Sequence, residues 1–321
     1  MDRYSAAVVR SPNDKTCHFF FFVDPTTKRL VFERRSIYTF KGYSSFGNDE
    51  LFKGIIRPDA SIAAVLQGDM VSVYGITEPE EEGIMYLSKL SPTLDVLHDI
   101  DIDGPIAHIE DPVASCSAGR YLTFVNYFTY DFDHASGNDS FQLNELELWG
   151  ESNDRFSMRM SIDSPREVYG LCAVIHRETL VRYIFFLYQE QTGKPSVRCS
   201  WVCSGDQGRN HFIDHDFKSS DILAVASREG INRYGPYLDI FLYCLNPGND
   251  RIFRAVGKAR GHSIKWTAPS NTFHLKSDEK SSLAVINENK RNYVYYIPRG
   301  KDKYEAYIDV IQDDWFEPQG K

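Results

Sequence analysis

Apolar residues in this chain recur in short alternating runs, with no helical stripe longer than about two turns. A small-apolar run appears six times: Ala6–Val9, Ile62–Val65, Val113–Cys116, Leu171–Val174, Ile222–Val225 and Ser282–Val285. The spacing of roughly 50 to 60 residues is that of propeller blades. Each run is followed by a stretch rich in β-branched and aromatic residues, which favour a pleated, half-buried surface. These stretches are Phe19–Val23, Val71–Ile76, Tyr121–Tyr127, Tyr183–Gln189, Leu238–Leu245 and Asn292–Ile297. Turns such as Asp24-Pro25 and Asn246-Pro247-Gly248 follow several of them, and their residues supply the backbone angles a hairpin needs. Third strands are expected at Arg29–Glu33, Ile84–Leu87, Leu143–Trp149, Val197–Val202, Arg251–Val256 and Tyr304–Ile308. A more variable fourth strand completes each unit. The pattern predicts an all-β, six-bladed β-propeller with four antiparallel strands per blade, a single domain over 1–321. Alanine in the first strands fits a narrow channel where six inner strands converge and large side chains would clash.

Charge narrows the partners. The chain has 321 residues and a formal net charge of -9; nucleic-acid binding wants a basic footprint, so none is expected. The one pure charge run, Glu80–Glu82, reads as a solvated loop. No apolar segment reaches the roughly 20 residues of a membrane span. No stretch of signal-peptide type opens the chain, so a soluble, cytoplasmic protein is expected. The six cysteines fall mostly inside apolar runs and read as small buried hydrophobes. Asn138-Asp139-Ser140 matches a glycosylation sequon and is expected in a loop.

The repeat grammar resembles that of the fungal fucose-specific lectins, six-bladed propellers. Ile240–Asn246, Ile184–Gln189 and Val71–Tyr74 are the most lectin-like segments, and the resemblance covers nearly the whole chain. In that family an arginine of the second strand and a glutamate of the third hold a sugar between blades, beside a stacking aromatic. Here the arginine position holds His18 or Phe19, Ser72, Thr123, Phe185, Phe241 and Tyr293 in chain order. Tyr86, Cys199 and Arg254 stand at the glutamate position in three blades, and only Glu33 and Glu147 survive near it. Phenylalanine cannot replace a multi-donor cation without leaving sugar hydroxyls unpaired, at roughly 1–3 kcal/mol each. The resemblance therefore implies the fold while weakening fucose binding.

Catalytic signatures are scarce. Neither a nucleophile elbow, a zincin helix nor a phosphate-binding loop occurs. Ser204–Gly208 resembles the Asp-box turn of sialidases and reads as a polar turn. His211 and His215 form the closest histidine pair and read as a surface loop; no metal and no cofactor are expected.

What stands out is a stock of aromatics and donors at strand ends. Tyr74, Tyr127, Tyr188, Trp201, Tyr234, Trp266 and Tyr295 are the expected substrate-binding residues, and Arg182, Arg233, His176 and His262 the expected catalytic donors. Lectin-like grammar with erased sugar motifs also resembles the fungal hetero-Diels–Alderases of tropolone–sesquiterpenoid pathways. That resemblance implies cofactor-free cycloaddition of an apolar polyene (humulene) to a polar heterodiene, a tropolone o-quinone methide. Holding both reactants together can lower such a barrier by about 7–11 kcal/mol, and a donor on the carbonyl would stabilise growing charge. The alternatives are a lectin of altered preference, with a pocket from Arg198 and Trp201 or from Arg254 and Trp266, and a scaffold for protein contacts. No nucleic-acid or membrane partner is expected; a homodimer is left open.

Overall fold

A computed structural model describes residues 5–24, 26–39, 42–46, 56, 61–77, 86–92, 95–97, 113–133, 138–149, 155–162, 167–189, 196–203, 206–213, 222–246, 251–273 and 275–311. These form 23 strands in six antiparallel sheets, numbered here in chain order. Sheet 1 holds β1 (Ala6–Arg10), β2 (Cys17–Asp24), β3 (Arg29–Ser36) and β4 (Gly42–Phe46). Sheet 2 holds β5 (Ile62–Gln67), β6 (Met70–Thr77), β7 (Tyr86–Ser91) and β8 (Asp95–Val96). Sheet 3 holds β9 (Val113–Ala118), β10 (Leu122–Asp133), β11 (Asn138–Trp149) and β12 (Arg155–Ile162). Sheet 4 holds β13 (Glu167–His176), β14 (Val181–Gln189), β15 (Ser196–Cys203) and β16 (Asp206–Ile213). Sheet 5 holds β17 (Ile222–Asn232), β18 (Gly235–Asn246), β19 (Arg251–Arg260) and β20 (Ser263–Phe273). Sheet 6 has three described strands, β21 (Ala284–Glu288), β22 (Arg291–Tyr296) and β23 (Glu305–Val310). Each sheet is a meander whose neighbours follow chain order, the arrangement the six repeats predict.

The chain divides into two compact units, Met1–Leu171 with Tyr188–Gly193, and Cys172–Leu187 with Lys194–Lys321. In the first unit β5 lies against both β1 and β9, and in the second β17 lies against β21. Within each unit the alanine-bearing first strands thus neighbour one another, and Ala7, Ala63, Ala114, Ala224 and Ala284 are all buried. Their small size permits this approach. Ser5 Oγ accepts the Ile62 amide at 2.7 Å and Ser117 Oγ donates to the Leu66 carbonyl at 2.7 Å, pinning successive sheets at these strands.

Between sheets 1 and 2, Ala7, Val9, Phe21, Val23, Ile62, Val73 and Leu90 belong to one apolar cluster, edged by Phe19 and Phe32. Phe32 meets Phe19 edge-on at 4.9 Å. Full burial of one such ring stabilises by about 1.5–3 kcal/mol. Sheets 2 and 3 share a similar cluster containing Tyr74 and Tyr127.

Three departures from the sequence reading have local causes. β10 and β11 run 12 residues each, and Asn138–Ser140 is not a loop: these residues pair with Asp133, Phe132 and Asp131. The aromatic alternation simply continues past Tyr127 through Phe132, so the ladder continues with it. β21 starts two residues after the expected Ser282, because Ser281 and Ser282 turn their hydroxyls away from a ladder, to the Ile297 amide at 2.8 Å and the Tyr304 hydroxyl at 2.9 Å. His211 lies in β16 rather than in a loop, as do Asp206–Gly208, where a turn was expected; His215 and Glu80–Glu82 lie outside the described residues.

Candidate functional site

The second unit brings together side chains from sheets 4 and 5 that the sequence places far apart. Trp201 of β15 stacks on His262, which sits in the turn between β19 and β20, with centroids 3.8 Å apart and planes 4° from parallel. Between the same two sheets, Trp266 of β20 meets Phe185 of β14 edge-on at 6.1 Å. The Tyr183 hydroxyl donates to the Gly261 carbonyl, fixing the residue before His262. Arg177 gives its backbone amide to Glu229 at 2.6 Å. Trp201 is half-buried and His262 exposed, so the stack reaches solvent on its imidazole side. Gly257 makes room for Trp266: a Cβ there would lie 2.7 Å from a Trp266 ring carbon and 2.9 Å from Ile264, and Cβ atoms essentially never come that close.

Arg182 and His176 have a local task in the β13–β14 hairpin. Leu180 adopts φ of 55°, the left-handed region that costs a non-glycine residue about 1–2 kcal/mol. The turn is held by the Leu180 amide on the His176 carbonyl at 2.8 Å, by the Thr179 amide on His176 Nδ1 at 3.4 Å, and by Arg182 Nη1 on the Leu180 carbonyl at 3.0 Å.

Other expected site residues are dispersed. Tyr74 and Tyr127, each 2% exposed, belong to the core cluster of sheets 2 and 3. Burial pushes the Tyr74 phenol up to about 12, against a smaller pull from Ser72. Tyr188 and Tyr295 are buried. Arg233 and Tyr234 lie at the β17–β18 turn with the guanidinium 4.6 Å from the ring centre. The structure therefore joins Trp201 to His262, sets Trp266 on Phe185, and leaves the remaining expected residues elsewhere.

Arg254 and Trp266 do not share a pocket. Arg254 turns to sheet 6, where Nη1 bonds both Asp309 carboxylate oxygens at 2.5 Å or less, while Trp266 turns to sheet 4. The Arg254–Asp309 pair heads a buried network that sequence reading missed. Tyr243 donates its hydroxyl to Asp309 at 2.5 Å and accepts from Asn292 Nδ2 at 2.7 Å, and Asn287 donates to Asn292 at 2.8 Å. Arg254, Asp309, Tyr243 and Asn292 are each at most 4% exposed. Burial first, and the Asp309 charge second, push the Tyr243 phenol well above its ordinary value. Arg254 stands where the lectin grammar has glutamate; here the charge is reversed and its counter-ion comes from the next sheet.

Sheet 1 keeps a polar pair of its own. Arg35 donates Nε to Glu33 at 2.7 Å and lies over the Phe20 ring at 4.2 Å, beside the fully buried His18. On sheet 3, Asn126 Nδ2 donates to Glu145 at 3.1 Å. The positions where the lectins carry their second-strand arginine are buried: Ser72, Thr123, Phe185, Phe241, Tyr293 and His18 are each at most 3% exposed. Among the described residues no group of three or more His, Cys, Asp or Glu side chains is set to hold a metal ion, and no helix is long and apolar enough to cross a membrane.

No family model matches the chain. Two proteins named wall-associated proteinase, from Coccidioides immitis strain RS and from Coccidioides posadasii, are each 26% identical over 313 residues, covering 97% of this chain and 96% of theirs. Among solved structures, SapL1 lectin in complex with α-methyl fucoside aligns with a TM-score of 0.61 at 11% identity, covering 98% of both chains. A variant of Aleuria aurantia lectin with α-methyl-L-fucoside gives 0.61 at 10% identity, over 99% of this chain and 97% of that one. A variant of AofleA from Arthrobotrys oligospora gives 0.60 at 12% identity, over 96% and 84%. With its six antiparallel sheets and these alignments, the chain has the six-bladed β-propeller fold of fungal fucose-specific lectins.

Proposed function

We propose that the chain is a carbohydrate-binding propeller protein whose preference differs from fucose, and that Trp201 and His262 form its principal saccharide platform. The observation that carries this reading is the parallel Trp201–His262 stack at the solvent side of the seam between sheets 4 and 5. Sugar rings present an apolar C–H face to an aromatic plane and hydroxyls to nearby donors and acceptors, and an imidazole on an indole supplies both. Fucose itself is a poor fit, because the arginine positions hold buried Ser, Thr, Phe, Tyr and His. The same reading takes 1–321 as one domain, since the lectins align over nearly the whole chain.

The hetero-Diels–Alder expectation draws less support. Carbonyl activation needs donors aimed at substrate, and Arg182 spends Nη1 on the Leu180 carbonyl while His176 Nδ1 receives the Thr179 amide. A proteinase role, which the Coccidioides names carry, draws no nucleophile from Cys172 or Cys199. Burial raises both thiols, and a buried thiol that stays protonated is a weak nucleophile. A glycan array run beside a humulene and quinone-methide mixing assay tests the choice. Array binding without rate acceleration supports the lectin reading; stereoselective acceleration with a blank array overturns it.

A further inference from the structure

The free end of sheet 5 carries a second cluster that the Trp201 seam does not use. β17 and β18 run 11 and 12 residues, whereas the matching strands of sheet 6 run 5 and 6. The surplus length ends in a tight turn. Asn232 Oδ1 accepts the Tyr234 amide at 3.0 Å, and Gly235 has φ of +102°. On the chain's -9 background, this end is locally basic. Arg228, Arg233, Lys258, Arg260 and Lys265 stand against two acids, Glu229 and Asp239. Both acids are engaged: Glu229 takes the Arg177 amide, and Asp239, fully buried, holds Arg228 at 2.8 Å and Lys258 at 3.6 Å.

The cations are positioned by rings. The Arg233 and Arg260 guanidiniums lie 4.6 and 5.3 Å from the centre of the same Tyr234 ring. Lys258 and Arg260 lie 4.1 and 5.9 Å from the centre of Tyr237. Tyr237 lies against Gly230, where a Cβ would come within 2.3 Å of its ring. Lys258 also stands directly opposite Lys265 in the β19–β20 ladder, adding positive charge beside the two guanidiniums, with Asp239 facing Lys258 at 3.6 Å. Two planar forks sharing one exposed ring make a pre-arranged receptor for an oxyanion.

We propose that this hairpin end binds a uronate-bearing polysaccharide, with Arg233 and Arg260 clasping the carboxylate and Tyr234, 66% exposed, meeting the sugar ring. The proposal rests on the carbohydrate-binding reading and adds to it a charge class and a second site. A uronate carries its carboxylate on a rigid ring with an apolar face, which matches cations set on aromatic planes. An acidic peptide offers its carboxylate on a flexible arm and leaves the ring face unused.

The test measures binding of the full chain to immobilised polygalacturonate, to dextran and to polyglutamate, at low and high salt. Polygalacturonate should bind, and added salt should weaken it. Changing Arg233 and Arg260 together to alanine should weaken it about tenfold at low salt without shifting the melting temperature. Trp201→Ala should leave it intact. Undiminished binding by the double variant overturns the site. Equal or tighter binding of polyglutamate, lost in the same variant, overturns the ligand class. Absence of polygalacturonate binding overturns this proposal alone if neutral glycans still bind through Trp201, and overturns both readings if no glycan binds.

Discussion

Two seams flank sheet 5, and they are built differently. Toward sheet 6 the space is closed by Arg254, Asp309, Tyr243 and Asn292, all buried and bonded to one another. Toward sheet 4 the comparable aromatic investment ends in the Trp201–His262 stack, with the imidazole exposed. The first seam is closed from solvent; the second brings an aromatic stack to the surface. Being polar and aromatic does not make a sugar site: what matters is whether the side chains reach solvent.

The largest effect should come from breaking the closed seam. Asp309→Ala strands the Arg254 cation in a dry site and should cost about 3–5 kcal/mol in denaturant unfolding. Replacing Arg254 and Asp309 together with apolar residues of similar size should recover much of it; a double variant as unstable as the single one would show that the charge pair is not the cause. Next, Gly257→Ala should push Trp266 from its seat and cost about 1–3 kcal/mol through overpacking, read by melting temperature. Trp201→Ala should weaken glycan binding about tenfold while changing stability less than either substitution above; the comparison fails if stability falls and affinity does not. The smallest effect belongs to the β13–β14 turn, where Leu180→Gly should stabilise by about 1 kcal/mol by relieving the left-handed strain.

Alkaline pH probes the buried phenols. Tyr74 ionises near 10.0 when unfolded and only at about 12 when folded. Between those values the unfolded chain has lost the proton and the folded one retains it. Stability contributed by the neutral phenol is therefore complete below pH 10 and falls as pH rises toward 12. Tyr183 and Tyr243, both raised by burial, should extend the loss. Urea midpoints measured across this range should fall steadily, and a Tyr74→Phe variant should fall less.

Strand periodicity made the sheets readable, because side-chain alternation is a local property. Phe19–Val23 and Leu238–Leu245 fall within observed second strands. The seams were harder to read, since their partners are distant in sequence: Arg254 and Asp309 are 55 residues apart, Tyr183 and Gly261 78. A charged Arg254 within an apolar run was the available signal for the network, although nothing local names its counter-ion. Tyr74 and Tyr127 illustrate the opposite difficulty. A tyrosine at a strand end suits a binding platform or a core equally well, and only the neighbouring sheet decides. Lys258 and Arg260 drew no attention in the sequence, because the rings that hold them, Tyr237 and Tyr234, come from β18 and the turn before it.

The most direct test of the account is a calorimetric titration of the tightest neutral ligand from the glycan array into the wild-type chain and into Trp201→Ala, both folded by circular dichroism. The account predicts saturable heat in the wild type and an affinity at least about tenfold weaker in the variant. Equal affinity in the two proteins would contradict it and remove the seam between sheets 4 and 5 as the saccharide site.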